Sequence, residues 1–249
     1  MSNTAQIRAW IEVSSSALRS NFEAVRARAG ARCAIIPMVK ASGYGLGAEW
    51  VARTLEPLDP WGFGVAAASE GAALRDAGVT RPIVVFSPMT ADALAVAARY
   101  RLGVSVSDLQ SLERWAQLSD IAEPLDFHLE IDTGMGRAGF DWRESSVWGS
   151  RVRAFTSQRL RWAGVYTHFH SADGADPTPT ATQWERFRDA LGQLPVSRED
   201  LMVHACNSAA IMRWPEFAAD AVRPGIYLYG GNVTPDGSFS PEPVAAVHA

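Results

Sequence analysis

One stretch of this chain gathers residue types capable of covalent chemistry: Pro37-Met-Val-Lys40-Ala-Ser-Gly43-Tyr44-Gly45-Leu-Gly47. The apolar run at 34–39 reads as a buried parallel strand, which puts Lys40 at its carboxyl end, where α/β folds place their chemistry. A partly desolvated amine there becomes nucleophilic toward a carbonyl, the basis of a Schiff-base lysine. Glycines beside it let backbone N–H groups approach an anion. Taken alone, Lys40 reads equally as a surface group capping a strand, but other segments shift the balance. Asp132-Thr-Gly-Met-Gly-Arg137, Thr167-His168 and Asn207-Ser208 lie at the ends of runs with strand character, and Arg223-Pro-Gly225-Ile226 lies in another such run. Ser208 at a helix start and Gly225 with its exposed backbone predict a phosphate site. A lysine and a phosphate site on one face of a barrel point to pyridoxal 5'-phosphate as cofactor.

Neighbouring polar residues have plainer readings. Asp132, ahead of Gly134 and Gly136, is expected to hold its own turn through a side-chain oxygen. Arg137 could form a local salt bridge, and Arg223 could clamp a carboxylate such as Asp220. His170 and His204 are read as hydrogen-bonded core histidines. His168, His170 and Asp173 superficially resemble a metal cluster, but a catalytic zinc site needs a third ligand of fixed geometry that the sequence does not identify, so metal is the weaker reading and none is expected.

These segments need a scaffold that brings strand ends together. Predicted strands at 34–39, 61–65, 82–86, 102–106, 127–131, 160–167, 202–205 and 221–229 alternate with helical stretches, and eight such units predict an α/β (β/α)8 TIM-type barrel. A doubly wound sheet would need a different glycine spacing after its first strand. Ahead of the barrel, 7–13 alternates like a strand and Ser14 offers an N-cap to a helix bearing Leu18, Phe22 and Val25. The segment from Gly230 to Gly237 is turn-rich, and 243–249 reads as a further strand. The expected organisation is a barrel over 1–235 and, at 236–249, the start of a truncated β-rich domain.

Composition narrows the partners. With 249 residues, 47% hydrophobic content and a net charge of −4, the chain can bury a full core and offers no basic surface for nucleic acid or anionic membrane. No apolar run approaches the roughly 18 residues of a membrane span. Cys33 and Cys206 have no metal-ligand spacing and no signal peptide is evident, so a reduced, cytoplasmic protein acting on a small molecule is expected.

Five ordered motifs resemble the alanine racemase family: Val39-Lys-Ala-Ser-Gly-Tyr-Gly, His128-Leu-Glu-Ile-Asp-Thr-Gly-Met-Gly-Arg-Ala-Gly-Phe140, Thr167-His-Phe, Asn207-Ser-Ala-Ala and Val222-Arg-Pro-Gly-Ile-Tyr-Leu-Tyr-Gly230. The resemblance covers residues 40–230. It implies a fold type III pyridoxal-phosphate barrel followed by a β-rich domain, interconversion of L- and D-alanine, and a homodimer. Lys40 would bond to the cofactor and serve as base on one face of the substrate Cα. Tyr44, Ser208, Gly225 and Ile226 would hold the phosphate, with Asn207 beside them. Arg223 would face the pyridine nitrogen, His168 would support the ring and Arg223, and Arg137 would bond the phenolic oxygen.

Two departures stand out. Glu130 occupies a position where the family commonly has a lysine that becomes carbamylated, and its carboxylate offers a similar planar anion to Arg137 on a shorter arm. The family's second base is a tyrosine from the partner's β-rich domain, and Tyr166, Tyr227 and Tyr229, read as barrel-strand residues, do not match it. The competing readings are a non-catalytic pyridoxal-phosphate carrier and another barrel enzyme acting on D-amino acids.

Overall fold

The computed structural model describes residues 9–118 and 124–248, so Ile7 and Arg8 of the first predicted strand and Ala249 of the last lie outside the described residues. The chain begins with β1 (Trp10–Val13), α1 (Ser15–Ala29), β2 (Ala34–Ile35), α2 (Lys40–Tyr44) and α3 (Ala48–Leu55). It continues through β3 (Phe63–Val65), α4 (Ala68–Asp76), β4 (Ile83–Val85), α5 (Ala91–Arg99), β5 (Gly103–Val106) and α6 (Leu109–Ala116). Next come β6 (Leu125–Asp132), β7 (Phe140–Asp141), α7 (Ser145–Phe155), β8 (Leu160–Tyr166) and α8 (Thr178–Leu191). The last elements are β9 (Met202–Asn207), α9 (Ser208–Arg213), β10 (Ala221–Arg223) and β11 (Ala245–His248).

Among the described residues, eight parallel strands follow one another in the order β2-β10-β9-β8-β6-β5-β4-β3. The two ends of that series meet. Met38 bridges Gly64 in parallel, Gly64 N–H donates to Pro37 O at 2.9 Å, Val39 N–H donates to Gly64 O at 2.8 Å, and Trp61 N–H donates to Ile35 O at 3.0 Å. The expected TIM-type barrel is therefore present. Its three-residue strands β3, β4 and β10 are buried at every position, as in Ile83-Val-Val85, because helices cover the outer face and side chains fill the interior.

The first helix forms where the sequence supplies both a cap and an apolar stripe. Ser14 accepts the Ala17 N–H at the start of α1, whose Leu18, Phe22 and Val25 are buried. Burial of each such side chain contributes about 1.5–3 kcal/mol. No helix among the described residues is long and apolar enough to cross a membrane.

Two predicted strands are shorter than expected. Pro37 has no N–H for the ladder, so the first barrel strand reduces to β2 and the Met38 bridge. The eighth stops at Arg223, and Ile226–Tyr229 turns as a 3-10 helix, which places Tyr227 and Tyr229 outside the barrel strands. Pro224 removes a ladder donor, and the Tyr227 N–H bonds Ser208 Oγ at 3.3 Å instead. The predicted strand at 243–249 is realised as β11, antiparallel to β1 with Trp10 opposite His248.

Candidate active site

A cavity of about 650 Å³ opens where the barrel strands end. Lys40, Tyr44, Arg137, His168, Asn207, Ser208, Arg223, Gly225 and Ile226 all line it, so the structure brings these nine candidate residues together. Lys40 is the only lysine in the 249 residues; the other basic side chains are arginines. The cavity also takes in Phe86, Ser87 and Pro88, which follow β4. Sequence reasoning passed over them, although the rule that selected the other strand ends applies to them equally.

The segment carrying Lys40 has an unusual backbone. Ala41 (φ 52, ψ 47), Ser42 (φ 53, ψ 49) and Gly43 (φ 64, ψ 45) form a left-handed turn that continues into Tyr44 at φ 55. Left-handed conformation costs non-glycine residues roughly 1–2 kcal/mol each, so the surroundings must enforce it. The glycines serve this turn rather than an anion: Gly43 N–H bonds Val39 O, Gly45 N–H bonds Ala41 O and Gly47 N–H bonds Ser42 O. The expectation that these N–H groups bind phosphate is thereby corrected. The turn presents Lys40 and Tyr44 to the same cavity, with Lys40 Nζ 5.9 Å from the Tyr44 ring centroid.

Tyr44 stacks on Tyr229 at 4.4 Å, and Tyr229 donates its hydroxyl to Met38 O at 2.8 Å. A Cβ at position 225 would collide with the Tyr44 hydroxyl, so glycine leaves the space the phenol occupies. Ser208 Oγ accepts the Gly225 N–H at 2.8 Å, so the hydroxyl already engages the donor expected to be exposed. Asn207 caps α9 through Oδ1, which accepts the Ala210 N–H at 3.1 Å, and donates Nδ2 to Phe169 O. Both ends of the Asn207 amide thus brace the loops that frame the cavity.

Arg223 is buried at 4% exposure. Its Nη1 donates to His204 Nδ1 at 2.6 Å and to His204 O at 3.0 Å, while Nη2 donates to Thr167 O at 2.8 Å and Ala205 O at 3.2 Å. It does not clamp Asp220, whose carboxylate instead pairs with Arg198 and accepts the Val203 N–H. A donating Arg223 makes His204 Nδ1 the acceptor, so His204 Nε2–H points to His128 Nδ1 at 2.9 Å. Burial, followed by the Arg223 charge, holds His204 well below the ordinary imidazole range. Burial pulls His128 to about 4. His168, with Nδ1 3.5 Å from Arg223 Nη2, is lowered to about 3 by burial and then by Arg223, Arg137 and Lys40. All three imidazoles are neutral at physiological pH. His204 is a core histidine as expected, whereas His170 is exposed at the cavity mouth.

Glu130 is buried and accepts the Ser107 hydroxyl at 3.2 Å, while Arg137 Nη2 lies 4.0 Å from its carboxylate. Burial raises the Glu130 carboxyl above its usual range, against the opposing pull of Tyr166, Arg137, Arg223 and Ser107. The arginine expected to engage this acid therefore stands at the limit of ion-pair distance, with 57% of its side chain exposed. Asp132 holds its turn as predicted, accepting the N–H groups of Gly134 and Gly136. No cluster of metal-ligating side chains occurs among the described residues.

The family described as "Alanine racemase, N-terminal domain" matches residues 13–233. The chain belongs to the alanine racemase family. It is 36% identical over 226 residues to alanine racemase 2 of Bacillus subtilis (strain 168), covering 89% of this chain and 57% of that protein. It is also 36% identical over 225 residues to the alanine racemase of Halothermothrix orenii, covering 89% of this chain and 58% of that protein. Among solved structures, an alanine racemase of Clostridium difficile 630 in complex with cycloserine superposes with a TM-score of 0.91 at 26% identity, covering 98% of this chain and 68% of that one. The E. faecalis alanine racemase superposes at 0.87 with 29% identity, covering 99% and 67% of the two chains. The chain thus spans somewhat under two thirds of the length of these curated relatives.

Membership brings pyridoxal phosphate as the cofactor, and the donor set fits it. Among the described residues Arg223 Nε has no acceptor, which suits an unprotonated ring nitrogen. Lys40 could offer an amine to the aldehyde, and Tyr44 and Ser208 could offer hydroxyls to the phosphate.

Proposed function

We propose that this chain is the cofactor-binding barrel of an amino-acid racemase that interconverts L- and D-alanine. The observation that carries the proposal is the placement of the only lysine in one cavity with Tyr44, Ser208, Gly225 and a buried arginine. When bound, pyridoxal phosphate would supply an electron sink for the pair left as a substrate Cα proton departs. Lys40 would hold the cofactor through its amine and would serve as the base for the Cα proton on one face. Tyr44, the Ser208 hydroxyl and the Ile226 backbone would anchor the phosphate, while Gly225, whose N–H is held by Ser208 Oγ, would position that hydroxyl. Arg223 would place a permanent cation at the ring nitrogen, which would oppose its protonation and so favour return of the proton to Cα.

His168 donates no competing positive charge, because it stays neutral, and it braces Arg223 on the ring side. Arg137 would bind the phenolic oxygen, with Glu130 as its buried counter-charge in place of a carbamate. A second base must act on the opposite face, and we assign it to a tyrosine of a partner subunit in a homodimer. In this reading residues 1–235 make the barrel, 236–249 begin a β-rich domain, and the protein works in the cytoplasm.

Borohydride reduction of the chain with pyridoxal phosphate tests the assignment. Cofactor mass should be fixed on the Lys40 peptide and be lost in Lys40→Arg; a reducible absorbance that survives this substitution overturns the site. With D-alanine in deuterated solvent, the 249-residue chain should exchange the α-proton faster than it forms L-alanine. Inversion at rates on the order of 1–1,000 per second would place a second base within the chain and contradict the assignment to a partner.

A further inference from the structure

Three backbone N–H groups converge on the carboxylate of Glu70, a residue outside the cavity lining. Oε2 accepts Ala66 N–H at 2.8 Å and Ala67 N–H at 3.1 Å, which is local work at the start of α4. Oε1 reaches 29 residues back in sequence and accepts Ala41 N–H at 2.6 Å. That amide belongs to the peptide bond following Lys40. It opens the left-handed turn, whose internal bonds run from Gly43 N–H to Val39 O and from Gly45 N–H to Ala41 O. Like the first amides of any helical turn, Ala41 N–H has no partner inside it.

We propose that Glu70 is a positioning residue for Lys40: one carboxylate oxygen caps α4 and the other locks the peptide after the lysine, holding the left-handed turn that aims Lys40 and Tyr44 into the cavity. The proposal rests on the reading of Lys40 as the cofactor lysine. A carboxylate suits the task because it only accepts, and two oxygens serve donors on two elements at once. A glutamine would offer one oxygen and turn an N–H2 group against a donor. The bond also ties α4, which follows β3, to the segment that follows β2. These are the two strands at which the barrel closes, so the lysine is registered against the closure itself.

The test separates helix capping from positioning. Ala67 occupies the N-cap of α4 with extended backbone (φ −129, ψ 148) and no side-chain acceptor. Ala67→Ser in a Glu70→Ala background would restore a local cap but cannot reach Ala41. Three measurements are made on the 249-residue chain: thermal midpoint, amide exchange of the 39–46 segment without cofactor, and affinity for pyridoxal phosphate read from the lysine-bound absorbance. Glu70→Ala should speed exchange in 39–46 and weaken cofactor binding by on the order of tenfold to a hundredfold, as for loss of a charge-assisted hydrogen bond. Adding Ala67→Ser should recover the midpoint and leave exchange and affinity impaired.

Recovery of affinity together with the midpoint would reduce Glu70 to a helix cap and overturn the proposal, as would unchanged exchange and affinity in Glu70→Ala. Should Glu70→Ala fail to fold, Glu70→Gln decides the matter by the same exchange and affinity criteria. A reducible absorbance retained in Lys40→Arg would instead remove the reading of Lys40, while exchange at 39–46 would still judge the hold of Glu70 on the turn.

Discussion

Ser208 and Gly225 show how a residue can be chosen correctly from sequence while its partner is not. A hydroxyl at a helix start and a glycine near a strand end announce an anion site by type, but the bond from Gly225 N–H to Ser208 Oγ depends on how β9 and β10 align. His204 is legible as a core histidine, but its partners are not, since its contacts to Arg223 and His128 join three strands. Gly225→Ala tests the tight packing directly. Its methyl would displace the Tyr44 hydroxyl, so cofactor affinity measured by titration should fall about tenfold or more, comparable to loss of one anchoring hydrogen bond to a charged group. Glu130 makes a gentler prediction. At 4.0 Å from a largely exposed Arg137, the pair is worth no more than about 1 kcal/mol, so Glu130→Gln should weaken cofactor binding by at most about fivefold. Because the carboxylate is built in, affinity with and without added bicarbonate should be equal; an increase on adding bicarbonate would count against its role as a carbamate substitute.

At the level of elements, the turn after Lys40 resisted sequence reading. Its three glycines signalled a bend, but Ala41, Ser42 and Tyr44 carry side chains that ordinarily avoid positive φ, and nothing local predicts three of them left-handed together. Long-range bonds and packing decide it. Ser42→Gly removes the cost of one such residue and should raise unfolding free energy by about 1 kcal/mol, after allowing for glycine's greater unfolded-state freedom. Ser42→Val, β-branched at φ 53, should lower it by about 2 kcal/mol or more. Denaturant melts of both variants check the sign and order. The shortened eighth strand has the opposite lesson: Ile-Tyr-Leu-Tyr looks extended by composition, yet Pro224 had already broken the ladder.

For the whole molecule, eight alternations of apolar run and helix were legible because most strand positions are buried and helices such as α1, α5 and α6 start at a capping side chain, so local and global preferences agree. That agreement also hides a pH liability. His128 and His168 have pKa values near 4 and 3 in the folded protein, and His204 is also depressed, against about 6.5 when unfolded. Below pH 6.5 the unfolded chain binds protons that the native state refuses, so stability is full above that pH and falls as the pH drops toward 4. The slope is up to about 1.4 kcal/mol per pH unit for each histidine. The raised carboxyl of Glu130 acts with opposite sign and offsets part of the loss. Urea midpoints should therefore decline steadily from pH 7 to pH 5, and a flat profile over that range would contradict the burial of neutral imidazoles.

The closure of the barrel carries one more consequence. Gly64 lacks a side chain where Met38 sulfur packs, since a Cβ there would overlap the thioether, and Met38 is also the bridge residue two positions before Lys40. Sulfoxidation would force a polar, bulkier group into this contact. Peroxide treatment should consequently loosen the barrel and displace the lysine in one event, with cofactor affinity and thermal midpoint falling together. Both should recover with methionine sulfoxide reductase, and Met38→Leu should blunt the response. A single sulfur atom thereby makes the shape of the fold answerable to the redox state around it.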